Sequence, residues 1–402
     1  MNIEARSFNP PAEQMTWLGK EPIPVGAYTD PDHYELERKA IFMRTWLQIG
    51  HVCELPEAGS FIRRELEFAR ASILIVRGKD GDLRAFHNVC THRGTQLVSD
   101  ESGRKNTFSC PYHMWTFGTD GALISAPDFE RFYTTKENCA LKQVSVDVCG
   151  GLIFLNLDPA PAQSLHEFLG EYMVDKLESL PVAKATEFSE YVYELDANWK
   201  LDYDNFQEVY HLKFIHPRTG ASTFVPENPF GYPEHVSFHG PHRAMQFWPY
   251  YRDDVATEVQ QVSFPIQAQY AMNKGLMPHP TNKDYLALFP SFFIIGSPSQ
   301  HFSHCVYPIS VNKSRGVIRV YWVGEETSAS EKFAREYSFI IAREVHTEDV
   351  EVIKAGQRGL DSGALEHIHF QALEGLCRHL HNISRDRVEA YKAECETAGA
   401  LA

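Results

Sequence analysis

The feature that most restricts this chain is a pair of short segments, CTHRG at 90–94 and CPYHMW at 110–115. Each places one cysteine and one histidine on a single loop tip, Cys90 with His92 and Cys110 with His113. Two such loops approaching each other supply four ligands. Four ligands of mixed softness fit zinc, or a [2Fe–2S] cluster with two cysteines on one iron and two histidines on the other. Zinc modules commonly take two cysteines from one loop and two histidines from the next. One of each per loop suits a cluster whose two irons face both loops. Gly94 frees the backbone to turn close to such a group, and Pro111 removes a donor and stiffens the second loop. Trp115 is placed to pack over the loops. Scattered Cys and His residues do meet in reduced cores without a metal, but rarely at this ordered spacing.

Composition narrows the partners. Lys and Arg total 38 against 53 Asp and Glu, a net charge of −15, which argues against nucleic acid and anionic membranes. The eight cysteines are too sparse in 402 residues for a disulfide scaffold. No apolar run approaches the roughly 18 residues of a membrane span. The opening MNIEARSFNPPAEQ carries charges and prolines where a signal peptide is apolar. The expectation is a cytoplasmic protein. Apolar residues at 43% and aromatics at 12% support a large core.

The pattern along the chain predicts an α+β protein in three parts. Residues 1–45 read as a lead-in and a helix that packs on the third part. Residues 46–155 contain short apolar or alternating runs, ASILIVRG, LRAFHNV and GLIFLNL, separated by turn signals, which predicts a small antiparallel β domain. A Pro-rich stretch at 159–161 reads as a linker. Residues 156–402 mix helical stretches with the strand-like runs YLALFPSFFIIG, FSHCVYPIS and GVIRVYWVG, which predicts a domain with a central antiparallel sheet.

A second site is suggested within NWKLDYDNFQEVYHLKFIHPRTG at 198–220. Asn205, Glu208 and His211 step by three and share one face of a predicted helix. His216 lies five after His211, about 140° away on a regular helix. It joins the same site only if the helix loosens, and Pro217 disfavours helix at His216. Two histidines with acids beside them fit part of a two-His, one-carboxylate triad on Fe(II), which leaves positions open for dioxygen and substrate. His-x₄-His alone is a weak motif; its weight comes from a one-electron centre in the same chain. The third ligand is sought in AREVHTEDVEVIKAGQRGL at 342–360. Val345, Asp349, Val352 and Gly356 form an apolar stripe, and an acid inside such a stripe needs a reason to be buried. Asp349 is the first candidate and Glu348 the next, while Glu344 and Glu351 read as a solvated face. Gly359 reads as the helix C-cap.

At these residues the chain resembles the α subunit of a Rieske non-heme iron oxygenase, the ring-hydroxylating oxygenase family, from about residue 40 to the end. CTHRG and CPYHMW are similar to both halves of the Rieske signature. The NWK segment with its acids, Asn and two histidines resembles the family's catalytic helix, and EDV followed by GQRGL its third-ligand region. The resemblance implies a small antiparallel β Rieske domain and a helix-grip-like catalytic domain. It implies that Cys90 and Cys110 hold the inner iron of the cluster and His92 and His113 the outer one. It assigns His211, His216 and Asp349 to a mononuclear Fe(II), with Glu208 bridging a ligand histidine and a cluster histidine and Asn205 beside it. It also implies a homotrimer in which the two sites come from neighbouring subunits. A separate reductase, with or without a ferredoxin, would bring electrons from NAD(P)H. Glutamate at the bridge is the choice of the branch that includes carnitine and glycine-betaine oxygenases. Val209 departs from the cysteine often found there in that branch.

The function implied is a terminal oxygenase that uses O2 to hydroxylate a small hydrophobic, aromatic substrate. The alternative is demethylation or monooxygenation of a quaternary ammonium compound. The aromatic-rich segment 224–252 is expected to form a loop over the site, with Tyr203, Phe206, Phe289 and Phe293 as pocket walls. Aromatics there serve either an apolar ring or, through cation–π contact, an ammonium group. Two other classes compete: an electron carrier with a cluster alone, and a colourless zinc-stapled binding module.

Overall fold

The computed structural model describes residues 10–247, 257–276, 284–296, 301–397 and 399. The chain divides into two compact units, 41–179 and 1–40 with 180–402.

The apolar runs of the first unit become a seven-stranded antiparallel sheet. Its strands are β1 (Leu47–His51), β2 (Ser60–Leu66), β3 (Ala71–Arg77), β4 (Leu83–His87), β5 (Ser102–Arg104), β9 (Gln143–Cys149) and β10 (Leu152–Asn156), in the order β1-β10-β9-β4-β3-β2-β5. A small three-stranded sheet joins β6 (Thr107–Ser109), β7 (Thr116–Gly118) and β8 (Leu123–Ser125). Ile73 to Val76 are fully buried, which is why that strand reads as continuously apolar rather than alternating. The core gathers Phe61, Leu74, Phe86, Phe108, Trp115 and Phe117 around Cys90 and Cys110. The unit continues past residue 155: helix α2 (Leu165–Ser179) packs on β9. The stretch Pro159 to Pro161 therefore runs inside this unit and does not separate the two. None of the eight cysteines is in a disulfide among the described residues.

The second unit is built on a seven-stranded antiparallel sheet in the order β11-β17-β16-β15-β14-β13-β12. These are β11 (Glu187–Leu195), β12 (His235–His239), β13 (His242–Gln246), β14 (Asp284–Leu288), β15 (Phe292–Gly296), β16 (His301–Ser310) and β17 (Lys313–Trp322). The three strand-like runs of the sequence all appear here. The aromatic segment expected to be a loop is instead partly a hairpin, β12–β13 turning at Gly240. HVSFH and HRAMQ pair residue for residue, and backbone pairing overrode a composition rich in His and Pro. Residues 248–252 of that segment lie outside the described residues. Register sets Met245 opposite Tyr285, Tyr285 opposite Ile295, and Ile295 opposite Phe302. One row of side chains thus crosses four strands on one face.

Helix α6 (Ala329–Asp361) runs for 33 residues and packs on β17 and on α5 (Glu258–Asn273). Its buried positions include His346, Asp349, Ile353, Gln357 and Leu360, spaced by three or four. Asp349 is on that stripe as expected, but Val352 and Gly356 face outward. The helix also passes through Gly359 and ends at Asp361, with Gly363 at φ 71° taking the left-handed position after it.

Helix α1 (Pro31–Glu37) contributes a buried ion pair to this unit. Lys200 Nζ lies 2.5 Å from Glu37 Oε2, both side chains being 1% exposed. Trp199 Nε1 donates to the same oxygen at 3.2 Å. Burial pushes the Glu37 carboxyl up, but Lys200 and His33 outweigh it and hold its pKa at about 2. A carboxyl depressed in the folded state stabilises above its ordinary pKa of 4.5, and that contribution is lost as the pH falls toward 2. Lys200→Met strands the buried acid and is expected to cost about 3–5 kcal/mol. Chemical unfolding checks it, and adding Glu37→Leu should restore most of the loss.

Candidate metal centres

The first candidate centre hangs from strand ends in the first unit. Cys90 follows β4 and Cys110 follows β6. Each loop closes on itself: Cys90 N–H donates to the Thr95 carbonyl and Cys110 N–H to the Trp115 carbonyl, both at 2.8 Å. Gly94, at φ 79°, takes a left-handed turn that L side chains rarely adopt. The closed loops bury both thiols and leave the imidazoles outside them. His92 and His113, one from each loop, have ring centroids 4.7 Å apart. Trp115 stacks on His92 at 4.9 Å and 10°, so it packs on the loop as its position suggested. Burial, with His113 and Arg93 nearby, lowers the His92 pKa toward the neutral form that a metal ligand needs. Nδ1 of His113 is buried with no hydrogen-bond partner among the described residues. Two free buried thiols and two adjacent imidazoles fit a mixed Cys–His cluster.

The second centre lies in the second unit, and its local backbone differs from the single helix expected. Helix α3 (Trp199–Asn205) stops, and α4 (Leu212–Ile215) begins after six intervening residues. Glu208 supplies the physical reason. Its carboxylate accepts from the backbone N–H of Tyr210 and of His211, the latter at 3.2 Å, donors that an uninterrupted helix would use itself. Its other oxygen accepts from Nδ1 of His211. Asn205, Glu208 and His211 therefore do not share a helical face, yet all three border one cavity. His216 ends α4 at φ −112°, outside the helical region, as Pro217 requires.

The break brings His211, His216 and Asp349 together. One donor atom from each lies within 4.8 Å of the others. His216 Nε2 is 3.1 Å and His211 Nε2 3.6 Å from Asp349 Oδ1. Asp349 is 1% exposed. Neither of its oxygens, nor His216 Nε2, makes a hydrogen bond among the described residues. Buried polar atoms without partners are costly, and three converging on one point fit a metal ion. Glu348, the second acid candidate, is not in this trio. Its Oε2 accepts from His216 Nδ1 and from Thr219 Oγ1, each at 2.6 Å.

A cavity of about 300 Å³ opens beside the trio. The row Met245, Tyr285, Ile295 and Phe302 forms its floor, with Phe247 and Phe293 adding rings. Ile341, Ala342 and Val345 of α6 close it opposite, and Phe206, Leu212 and Thr223 complete the wall. Phe206 and Phe293 were among the expected wall residues. Tyr203 instead bonds the Phe292 carbonyl and Phe289 is buried elsewhere. The sheet contribution was legible only as alternation along each strand, because register was needed to align the strands. Asn205 Nδ2 is buried without a partner among the described residues.

Such a trio fits a two-histidine, one-carboxylate metal site, and comparison with known proteins supplies the class. Residues 182–390 match the ring hydroxylating alpha subunit catalytic domain and residues 45–144 the Rieske [2Fe-2S] domain. The chain belongs to the ring-hydroxylating oxygenase α-subunit family. It is an oxidoreductase, the terminal oxygenase component, with a Rieske cluster and a mononuclear iron as cofactors. It is 29% identical over 341 residues to the carnitine monooxygenase oxygenase subunit of Acinetobacter pittii, covering 83% of this chain and 84% of that one. It is 36% identical over 200 residues to the glycine betaine monooxygenase oxygenase subunit of Pseudomonas aeruginosa PAO1, 48% of this chain and 44% of that one. The crystal structure of a quaternary ammonium Rieske monooxygenase with L-carnitine superposes with a TM-score of 0.73 at 25% identity, covering 90% of this chain and 95% of that chain.

Cys110→Ser is expected to remove the visible absorption and EPR signal of the cluster, while iron analysis falls from three per chain to the one of the second unit.

Proposed function

We propose that this enzyme monooxygenates a compact quaternary ammonium compound, as an oxygenase component served by a separate NAD(P)H-dependent reductase. The observation that carries the proposal is the aromatic wall of the cavity beside the His–His–Asp trio. Phe293 lies at its centre, with ring centroids 4.7 Å from Tyr285, 5.5 Å from Phe206 and 5.6 Å from Phe302. Such faces attract an ammonium group by about 0.5–2 kcal/mol each when water is excluded. The cavity volume sits at the small end of the range for ligand pockets, about 300–1,000 Å³. The relatives named for carnitine and glycine betaine support this substrate class over the arene favoured by composition.

In this reading His211, His216 and Asp349 hold the iron. Cys90 and Cys110 hold the inner iron of the cluster, and His92 and His113 the outer one. Ferrous iron supplies, when bound, the site at which dioxygen is reduced and an oxygen atom enters the substrate. The chain's own residues do the rest. Glu208 fixes the His211 ring by taking its Nδ1–H, and that leaves Nε2 toward Asp349. The apolar wall excludes water and presents the substrate to one side of the trio. Asn205, at the end of α3, offers an unpartnered amide to the cavity beside Glu208. The working assembly is a homotrimer in which Glu208 bridges to a cluster histidine of the next chain. No helix of the described residues is long and apolar enough to cross a membrane, which supports a cytoplasmic location.

A second reading, an aromatic substrate, is favoured by the apolar lining and by 34% identity over 201 residues to the 2-aminobenzenesulfonate 2,3-dioxygenase α subunit of an Alcaligenes species. Reductase-coupled assays separate the two. Glycine betaine or carnitine should drive product formation matched to NADH consumed, and arenes should not; coupled turnover of an arene alone reverses the choice. Phe293→Ala should raise the Kd of the ammonium substrate about 2- to 30-fold, read by titration. Glu208→Gln should retain all iron yet lower turnover about 10–100-fold, measured by oxygen uptake.

A further inference from the structure

We propose that Glu348 is a positioning carboxylate of the mononuclear site, holding His216 in one tautomer and one ring orientation. The proposal rests on the reading of His211, His216 and Asp349 as metal ligands. A neutral imidazole has one nitrogen that donates and one that accepts. The Glu348 carboxylate, 2.6 Å from Nδ1, makes that nitrogen the donor. The lone pair is then left on Nε2, the atom that faces Asp349 at 3.1 Å and makes no hydrogen bond among the described residues.

Adjacent residues on a helix point about 100° apart. Glu348 and Asp349 use that angle to bracket one ring, Glu348 at Nδ1 and Asp349 at Nε2. A single turn of α6 thus brings both a ligand and the support of a different ligand. The support is itself held. Thr219 Oγ1 donates to the same Glu348 oxygen at 2.6 Å, and the Thr219 carbonyl accepts from Gln260 Nε2 at 3.0 Å. Gln260 is buried in the first turn of α5. Glu208 plays the matching part at Nδ1 of His211. Each histidine of the trio therefore has its own carboxylate behind it, and the two acids come from opposite ends of the sequence that forms the site. A plain surface acid on α6 would need neither the Thr219 bond nor the Nδ1 contact.

The test is anaerobic titration of Co(II) into enzyme stripped of its mononuclear iron but retaining its Rieske cluster. The proteins are wild type, Glu348→Gln, Glu348→Ala, Thr219→Val and Asp349→Asn. Glu348→Ala should weaken Co(II) binding 10–100-fold and alter its visible spectrum, with the Rieske absorption unchanged. Glu348→Gln should weaken it less, because an amide oxygen still accepts from Nδ1–H without the charge. Thr219→Val should fall between wild type and alanine. Wild-type affinity and spectrum in Glu348→Gln, Glu348→Ala and Thr219→Val would overturn the proposal. Should the alanine variant fail to fold, the Gln and Val variants decide in the same way. If Asp349→Asn also binds as wild type does, the fault lies in the ligand assignment itself.

Discussion

The second unit depends on the burial of Asp349. A carboxylate shielded from water, with neither oxygen in a hydrogen bond among the described residues, is among the most expensive things a fold can contain. Its cost is tolerable only because two imidazole nitrogens and a cation would meet it there. Around that point the architecture arranges itself: α6 delivers the acid, the broken stretch from α3 to α4 delivers the histidines, and the sheet supplies the apolar floor. The first unit shows the same economy at smaller scale, with two thiols buried at closed loop tips and two imidazoles left at the outside.

Much of this was legible before any coordinates. Cys90, His92, Cys110 and His113 were readable because spacing within one loop is a local property. Asp349 stood out as an acid in a predicted helix, but the stripe drawn through it was misplaced: the buried line runs through His346, Ile353 and Gln357, while Val352 and Gly356 face outward. The predicted antiparallel sheet followed from runs such as GVIRVYWVG, whose apolar content exceeds what a surface strand carries. The location of the second unit's strands in that sheet, and hence the cavity floor, was not readable. Met245, Tyr285, Ile295 and Phe302 are far apart in sequence and meet only through register.

Other features hid for specific reasons. The step of three from Asn205 to His211 has the arithmetic of a helix, but side chain competed with backbone for the same donors, and Glu208 won. Glu348 looked like a second-choice ligand because distance along a helix does not say which nitrogen of a histidine a carboxylate reaches. The extent of the first unit was misjudged from prolines, since Pro159 and Pro161 punctuate the chain without ending the packing that α2 continues on β9.

The turn at 206–211 asks two things of one side chain. One side chain there both interrupts the helix and steadies an imidazole, so its length is tied to the path of the backbone around it. An aspartate in its place, one methylene shorter, could reach the ring or the two amides along this path, not both. In this chain the length of that acid and the course of the main chain around it are therefore set together.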